Sequence, residues 1–351
     1  RLPLFDPAAD PNFNGFVDFA YGQDTESWAA YGQATFALTE RWDITAGIRY
    51  TEDEKEAFLF NENFGHTSIQ DSVSAKDDWD NISYLGRVNW AMSEDISFYA
   101  TYSTGYNGGG FNARASSPEA FQDPFDEEEI DSFEIGMKSE WWDRRLRANV
   151  AVFYNEYTDI QIAQFEAGSG GASSAIVNAG EATYQGLELE MVALLTEGLT
   201  LDFNYGYLDA EFDEYLARDP ATNELVDISD NTTVTRAPEH TANLGLQYDF
   251  QPFSFGILSM RLDVSYTDEF VYHVFNNRWD YTKEHTLVNA RISLNEVPLG
   301  GDHSLRFSLW GMNLTDEEYR EWGIDFDSLG FAGGTYSRPT TYGLDISYFF
   351  R

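Results

Sequence analysis

The sequence predicts an all-β protein built as a transmembrane antiparallel β-barrel. Three observations predict it. Apolar and polar residues alternate with period two over runs of about nine to eleven residues, the length at which a tilted strand crosses a bilayer. Short polar turns alternate with long loops without a slip in parity, which is the two-sided pattern of outer-membrane barrels. The apolar faces are flanked by Tyr and Trp, rings that favour a membrane–water interface because one end is apolar and the other hydrogen-bonds.

The stretch 80–112 shows all three. Its first arm sets Ile82, Tyr84, Gly86, Val88 and Trp90 on one face, with Ser83, Leu85, Arg87 and Asn89 opposite. The polar turn Met92-Ser93-Glu94-Asp95 follows, and then Ile96, Phe98, Ala100 and Tyr102 alternate with Ser97, Tyr99, Thr101 and Ser103. Successive side chains of a strand point to opposite faces, so this is a hairpin with one greasy side and one wet side.

Composition narrows the class further. The chain carries 60 acidic against 21 basic residues, a net charge of -39, which argues against nucleic-acid binding. Aromatics make up 16% of residues, too many for a disordered acidic tail. There is no cysteine, so neither a disulfide framework nor a thiolate metal site can form. Mean hydropathy is -0.43, but averaging over both faces of a strand hides a membrane signal that needs only every second residue to be apolar. No G-x-S-x-G and no H-E-x-x-H occurs, and the histidines are scattered. No catalytic, metal or cofactor site is therefore expected, and the protein reads as no enzyme.

In chain order, residues 1–24 read as an extracellular loop segment with Pro3, Pro7 and Pro11, and residues 25–351 as barrel. Strand pairs are expected over 28–38 and 44–50, 82–90 and 96–103, 130–140 and 146–154, 184–195 and 199–212, 241–250 and 257–270, and 286–294 and 304–313, with a last strand at 342–350. Long excursions lie at about 52–79, 108–129, 166–180, 213–236 and 314–337. A further loop carries Tyr272, His273, Phe275 and Trp279. That makes about thirteen strands. Their polar faces hold Arg49, Arg87, Asp202, Arg261, Asp263, Arg291, Arg306 and Asp345. An Arg facing lipid near mid-bilayer costs about 2–4 kcal/mol, so this face must look into water or onto a polar plug.

Several stretches resemble the barrel of TonB-dependent outer-membrane receptors. They are Tyr31-Gly32-Gln33-Ala34-Thr35, Ile44 to Tyr50, Phe98 to Tyr106 running into Gly109-Gly110-Phe111-Asn112, Phe133 to Lys138, Asn178-Ala179-Gly180, Gln185 to Glu190, Arg236-Ala237-Pro238-Glu239-His240, and Gly311 to Asp316. The likeness runs from about Ser27 to Phe350. It implies about the last 13 strands of a 22-stranded barrel, with the plug domain outside this sequence. It also implies an outer membrane of a Gram-negative bacterium, contact with lipid and lipopolysaccharide, and coupling to a TonB–ExbB–ExbD complex through the missing plug. The function it implies is energy-coupled uptake of a scarce solute, first of all an iron–siderophore complex. A receptor for a carbohydrate, vitamin or aromatic nutrient and a passive porin or structural surface barrel are the alternatives. The family's last strand usually ends on an aromatic residue, whereas here Arg351 follows Phe350.

Candidate ligand contacts are the aromatic residues on the long-loop side: Tyr106, Phe111, Tyr272, His273, Phe275, Trp279, Trp322, Phe326, Phe331 and Tyr336. Binding sites commonly join aromatic surface to a few polar groups, whereas the plain alternative is packing of loop against loop. The loops are acidic, with Glu52, Asp53, Glu54 and Glu56 in one and Asp316, Glu317, Glu318 and Glu321 in another. A cleft of one sign repels ligands of that sign, so a neutral or cationic chelate suits it better than a strongly anionic one.

Overall fold

The structure is a computed structural model that describes residues 17–63, 66–115, 117–168, 171–218, 224–274, 279–301, 303–326 and 331–350. In chain order its elements are β1 (Val17–Ala37), β2 (Trp42–Asn63), β3 (His66–Ala91), β4 (Ile96–Asn107), the short helix α1 (Pro118–Gln122), β5 (Glu128–Trp141) and β6 (Leu146–Thr158). Then come β7 (Gln161–Gly168), β8 (Gly171–Asn178), β9 (Gly180–Thr196), β10 (Leu199–Arg218), β11 (Leu225–Asp227), β12 (His240–Asp249) and β13 (Ile257–Thr267). The last are β14 (Phe270–Val271), β15 (Tyr281–Thr282), β16 (His285–Gly300), β17 (His303–Met312), β18 (Arg320–Phe326), β19 (Phe331–Tyr336) and β20 (Thr341–Phe349). One sheet runs in the order β1-β2-β3-β4-β5-β6-β9-β10-β12-β13-β16-β17-β20, with β11 added to β10. These pairings are antiparallel throughout, so the sheet is a meander that forms part of a barrel wall, as the strand count from sequence anticipated. The pairs β7–β8, β14–β15 and β18–β19 are separate hairpins within the loops.

One face of this wall is a continuous apolar band. The register sets Ile48 beside Tyr84, Ala100 beside Ile135, Ile135 beside Val152, Leu246 beside Leu262 and Leu309 beside Leu344. These residues are not a packed core: Ile135 is 66% exposed, Leu344 63% and Ile346 61%. So large an exposed apolar surface is untenable in water and is what hydrocarbon requires. Aromatic rings bound the band. Trp42, Trp90 and Phe98 stack at the short-turn end, each neighbouring pair 5.5 Å apart. Trp28 and Tyr50 meet at 5.3 Å toward the other end. Trp42 and Tyr50 lie on the same strand at a spacing of about 27 Å, which a tilted strand converts to the height of a membrane's apolar core.

The other face is polar, and several of its charges are paired or set against aromatic rings. Arg261 donates to both carboxylate oxygens of Asp202 at 3.0 Å and to Asp263 at 2.6 Å. Arg291 reaches Asp345 at 3.1 Å, and the Arg87 guanidinium lies 4.4 Å from the Tyr99 ring centre. The Asp202–Arg261 and Arg291–Asp345 pairs each span one intervening strand, the first passing over Gly245 of β12 and the second across β17.

Beyond the outer girdle the structure departs from the sequence reading. Strand β1 starts at Val17, so residues 17–24 are strand rather than loop; residues 1–16 lie outside the described residues. Strands β2 and β3 continue through most of the expected excursion, pairing Glu52 with Asp80 and Ala57 with Ala75. Charged side chains carry no penalty on a strand that has left the membrane, so charge there does not mark a loop. The inner side of this extension is a real core, in which Ala57, Leu59, Trp79, Phe111, Ala115 and Phe121 are buried together. The glycine run 108–110 serves the same packing. A Cβ on Gly109 would stand 2.2 Å from the Phe125 carbonyl oxygen and 2.3 Å from the Trp79 indole nitrogen. Gly109→Ala is therefore expected to loosen the 108–125 segment by about 1–3 kcal/mol. Limited proteolysis of the folded barrel reads this directly; an unchanged cleavage rate there would contradict it.

Two asparagines close loops onto the wall. The Asn178 side-chain amide donates to the carbonyls of Asp126 at 2.9 Å and Asp159 at 2.8 Å, and its Oδ1 accepts from Asp126 N at 2.7 Å. Asn313, 7% exposed, donates to the carbonyls of Glu317 at 2.9 Å and Arg338 at 3.0 Å. The motifs Asn178-Ala179-Gly180 and Gly311 to Asp316 are thus structural clasps. The acidic run 126–129 has a similar use, since Glu128 accepts from Gln161 N at 2.8 Å and Glu129 from Asn81 Nδ2 at 2.7 Å.

Candidate ligand-binding site

On the long-loop side, two hairpins are pinned against each other by one arginine. Strands β14 and β15 pair Phe270 with Thr282 and Val271 with Tyr281. Strands β18 and β19 pair Arg320 with Tyr336 and Trp322 with Thr335. Arg320 Nη1 donates to the Trp279 carbonyl at 2.7 Å and to the Tyr281 carbonyl at 3.1 Å. In return the Tyr272 hydroxyl donates to the Arg320 carbonyl at 2.6 Å. The approach is so close that a Cβ on Gly323 would stand 2.3 Å from the Trp279 carbonyl oxygen.

The same guanidinium organises the rings. It lies 5.6 Å from the centre of Trp279 and 5.9 Å from those of Tyr281 and Tyr336. A cation held by ring faces and carbonyls loses little freedom and keeps the rings in place, each such contact contributing about 0.5–1 kcal/mol at an exposed site. The rings remain open: Trp279, Tyr281, Trp322 and Tyr336 are between 40% and 55% exposed. Exposed aromatic faces around a fixed positive charge can stack a flat ligand and attract an anionic oxygen on it.

Of the ten residues chosen from sequence, Tyr272, His273, Trp279, Trp322 and Tyr336 fall on these hairpins or the segment between β14 and β15. Tyr272 is buried and supports the arrangement from behind. His273 has its Nε2 buried with no hydrogen-bond partner among the described residues. Phe275 lies outside the described residues, and the side chains of Phe326 and Phe331, whose backbones pair at the β18–β19 tip, are likewise outside them. Tyr106 and Phe111 sit elsewhere, over β2–β4. The Tyr106 hydroxyl donates to Asp53, and both line a polar recess of about 420 Å³ with Arg49, Thr51 and Ser83. Phe111 is 5% exposed, with its ring against Trp79 at 6.0 Å and Phe121 at 5.8 Å, so its surface goes to loop packing. Nearby Lys55 donates to the Gly108 carbonyl at 3.3 Å and to that of Gly109; burial lowers its pKa, and Asp53 opposes that shift. Arg320 and Tyr281 were not among the sequence candidates, although a lone cation between Tyr319 and Trp322 in an acidic loop was a usable signal.

The fold and this outer platform define one wall of a membrane-spanning barrel with an aromatic-rich mouth. Residues 3–314 match the family described as TonB dependent receptor-like, beta-barrel. The chain belongs to the TonB-dependent receptor β-barrel family, whose members are outer-membrane transport receptors rather than enzymes. Among curated relatives, the pesticin receptor of Yersinia pestis is 30% identical over 330 residues, covering 92% of this chain and 44% of that protein. The probable TonB-dependent siderophore receptor PiuA of Acinetobacter baumannii is 24% identical over 319 residues, covering 89% and 38%. Among solved structures, the ferric yersiniabactin uptake receptor FyuA of Yersinia pestis superposes with a TM-score of 0.76 at 21% identity, covering 95% of this chain and 47% of that one. The chain thus spans less than half the length of these relatives.

Proposed function

We propose that this chain forms the C-terminal part of the barrel of an outer-membrane receptor that takes up an iron–siderophore complex by energy coupling. The observation that carries the reading is the Arg320 platform: a single guanidinium, fixed by two backbone carbonyls and ringed by Trp279, Tyr281 and Tyr336, on the outer side of a membrane barrel. Flat rings and one cation suit a bulky chelate bearing aromatic rings and a carboxylate or phenolate. The acidic loops around it disfavour a strongly anionic complex and favour one near neutrality. Relatives described as a probable siderophore receptor and a metal-pseudopaline receptor support a chelated metal as cargo. The sheet edges at β1 and β20 need partners within hydrocarbon, so further strands of the whole protein complete the barrel. A plug, and through it a TonB–ExbB–ExbD complex, supplies the coupling; lipid and lipopolysaccharide surround the wall.

The test is a tryptophan-fluorescence titration of the full-length receptor in detergent. Probes are a near-neutral phenolate-type ferric chelate, ferric citrate, a corrinoid and a maltodextrin. Saturable quenching is expected from the phenolate chelate, with ferric citrate weaker. Saturable binding of the corrinoid or maltodextrin alone would move the assignment to a nutrient receptor, and free permeation of all probes into liposomes would point to a porin.

A further inference from the structure

A second constellation lies at the outer rim of the lipid-facing surface, where β12 begins and β13 ends. The register pairs Thr241 with Thr267, and Asp268 N donates to the His240 carbonyl at 2.9 Å. This brings Glu239, His240 and Asp268 together, with one donor atom from each lying within 4.8 Å of the others. His240 Nε2 stands 3.7 Å from a Glu239 oxygen. That is too long for a hydrogen bond. It is close to the spacing of about 3.0–3.5 Å between neighbouring ligands of an ion held at 2.0–2.2 Å.

The imidazole is held from behind. Its Nδ1 is hydrogen-bonded to the Tyr205 hydroxyl at 2.9 Å, its ring stacks on Tyr205 at 6.0 Å, and the Tyr207 ring lies tilted against it at 5.3 Å. When Nδ1–H donates to Tyr205, the Nε2 lone pair is presented to the two carboxylates. A second hydrogen bond that fixes tautomer and ring orientation is how metal-ligating histidines are set. Asp268 Oδ1 accepts from the Tyr266 hydroxyl at 3.3 Å and from Glu269 N at 3.0 Å, which leaves its second oxygen for an ion, and among the described residues no Lys or Arg forms an ion pair with Glu239 or Asp268.

We infer that Glu239, His240 and Asp268 bind a divalent transition-metal ion at the outer membrane interface. One imidazole with two carboxylates suits zinc-class ions, whereas magnesium and calcium prefer oxygen-only sets. Three protein ligands leave further positions open at the level of the headgroup layer.

The experiment is calorimetric titration of Zn²⁺ into the chelator-treated full-length protein in detergent, with Mg²⁺ in excess to occupy carboxylate-only clusters. One saturable Zn²⁺ site is expected. The double variant Glu239→Gln, His240→Gln should lose it, and Tyr205→Phe, a positioning change, should weaken it roughly tenfold. Heat-modifiable gel migration checks that each variant is folded. Failure of the wild type to take up Zn²⁺ under these conditions, or equal affinity in the folded double variant, overturns the assignment.

Discussion

Replacing Phe203 with Arg is expected to destabilise the barrel by about 2–4 kcal/mol, whereas Asn204→Arg, one residue further along the same strand, should stay within about 0.5 kcal/mol. Phe203 sits midway along the membrane part of β10, between Met191 on one neighbour and Leu244 on the other. An arginine there must either snorkel across half the apolar band or draw water into it. Asn204 points the other way, between Glu190 and Asn243, where a guanidinium stays wet and meets a carboxylate. Urea unfolding in lipid vesicles, followed by tryptophan fluorescence, measures both. Equal losses for the two variants would mean that the apolar face does not meet hydrocarbon.

Arg320→Ala should weaken capture of the proposed ferric chelate by about 30- to 100-fold, the equivalent of roughly 2–3 kcal/mol. Two charge-assisted hydrogen bonds to the Trp279 and Tyr281 carbonyls disappear, and three rings lose the cation between them. Arg320→Lys should recover little, because an ammonium is not planar and cannot stack while bonding two carbonyls. Tyr106→Phe serves as the contrast: it removes one hydrogen bond to Asp53 in the other recess and should leave capture nearly unchanged. The titration used for ligand class measures all three, with circular dichroism confirming an intact barrel. Wild-type affinity in Arg320→Ala would remove the platform as the binding site.

The membrane wall was legible because the bilayer imposes its rule on every second residue. Ile44, Ala46, Ile48 and Tyr50 fall on one face by the period alone, and the charges at Arg49, Arg261 and Asp345 on the other. The extended hairpin above it was not legible. Glu52, Glu54 and Glu56 alternate with Asp53, Lys55 and Ala57, and in water a strand tolerates charge on either face, so the pattern looked like loop. The aromatics misled for a related reason. Phe111 and Trp279 are alike in sequence, each beside a long loop. Only packing separates a ring buried beneath Trp79 from one left open beside Arg320.

By itself, then, the order of residues determined the class of fold, the strand directions, the two faces and the side that carries the long loops. Each follows from a local period and from the high free energy of unpaired or charged groups in hydrocarbon. Tertiary structure alone decided which loops clasp one another through Asn178 and Asn313, and which rings remain open. It also decided that Arg320 joins residues about forty positions away and that Glu239, His240 and Asp268 meet at the rim. Those outcomes depend on contacts between distant segments, and no period along the chain records them.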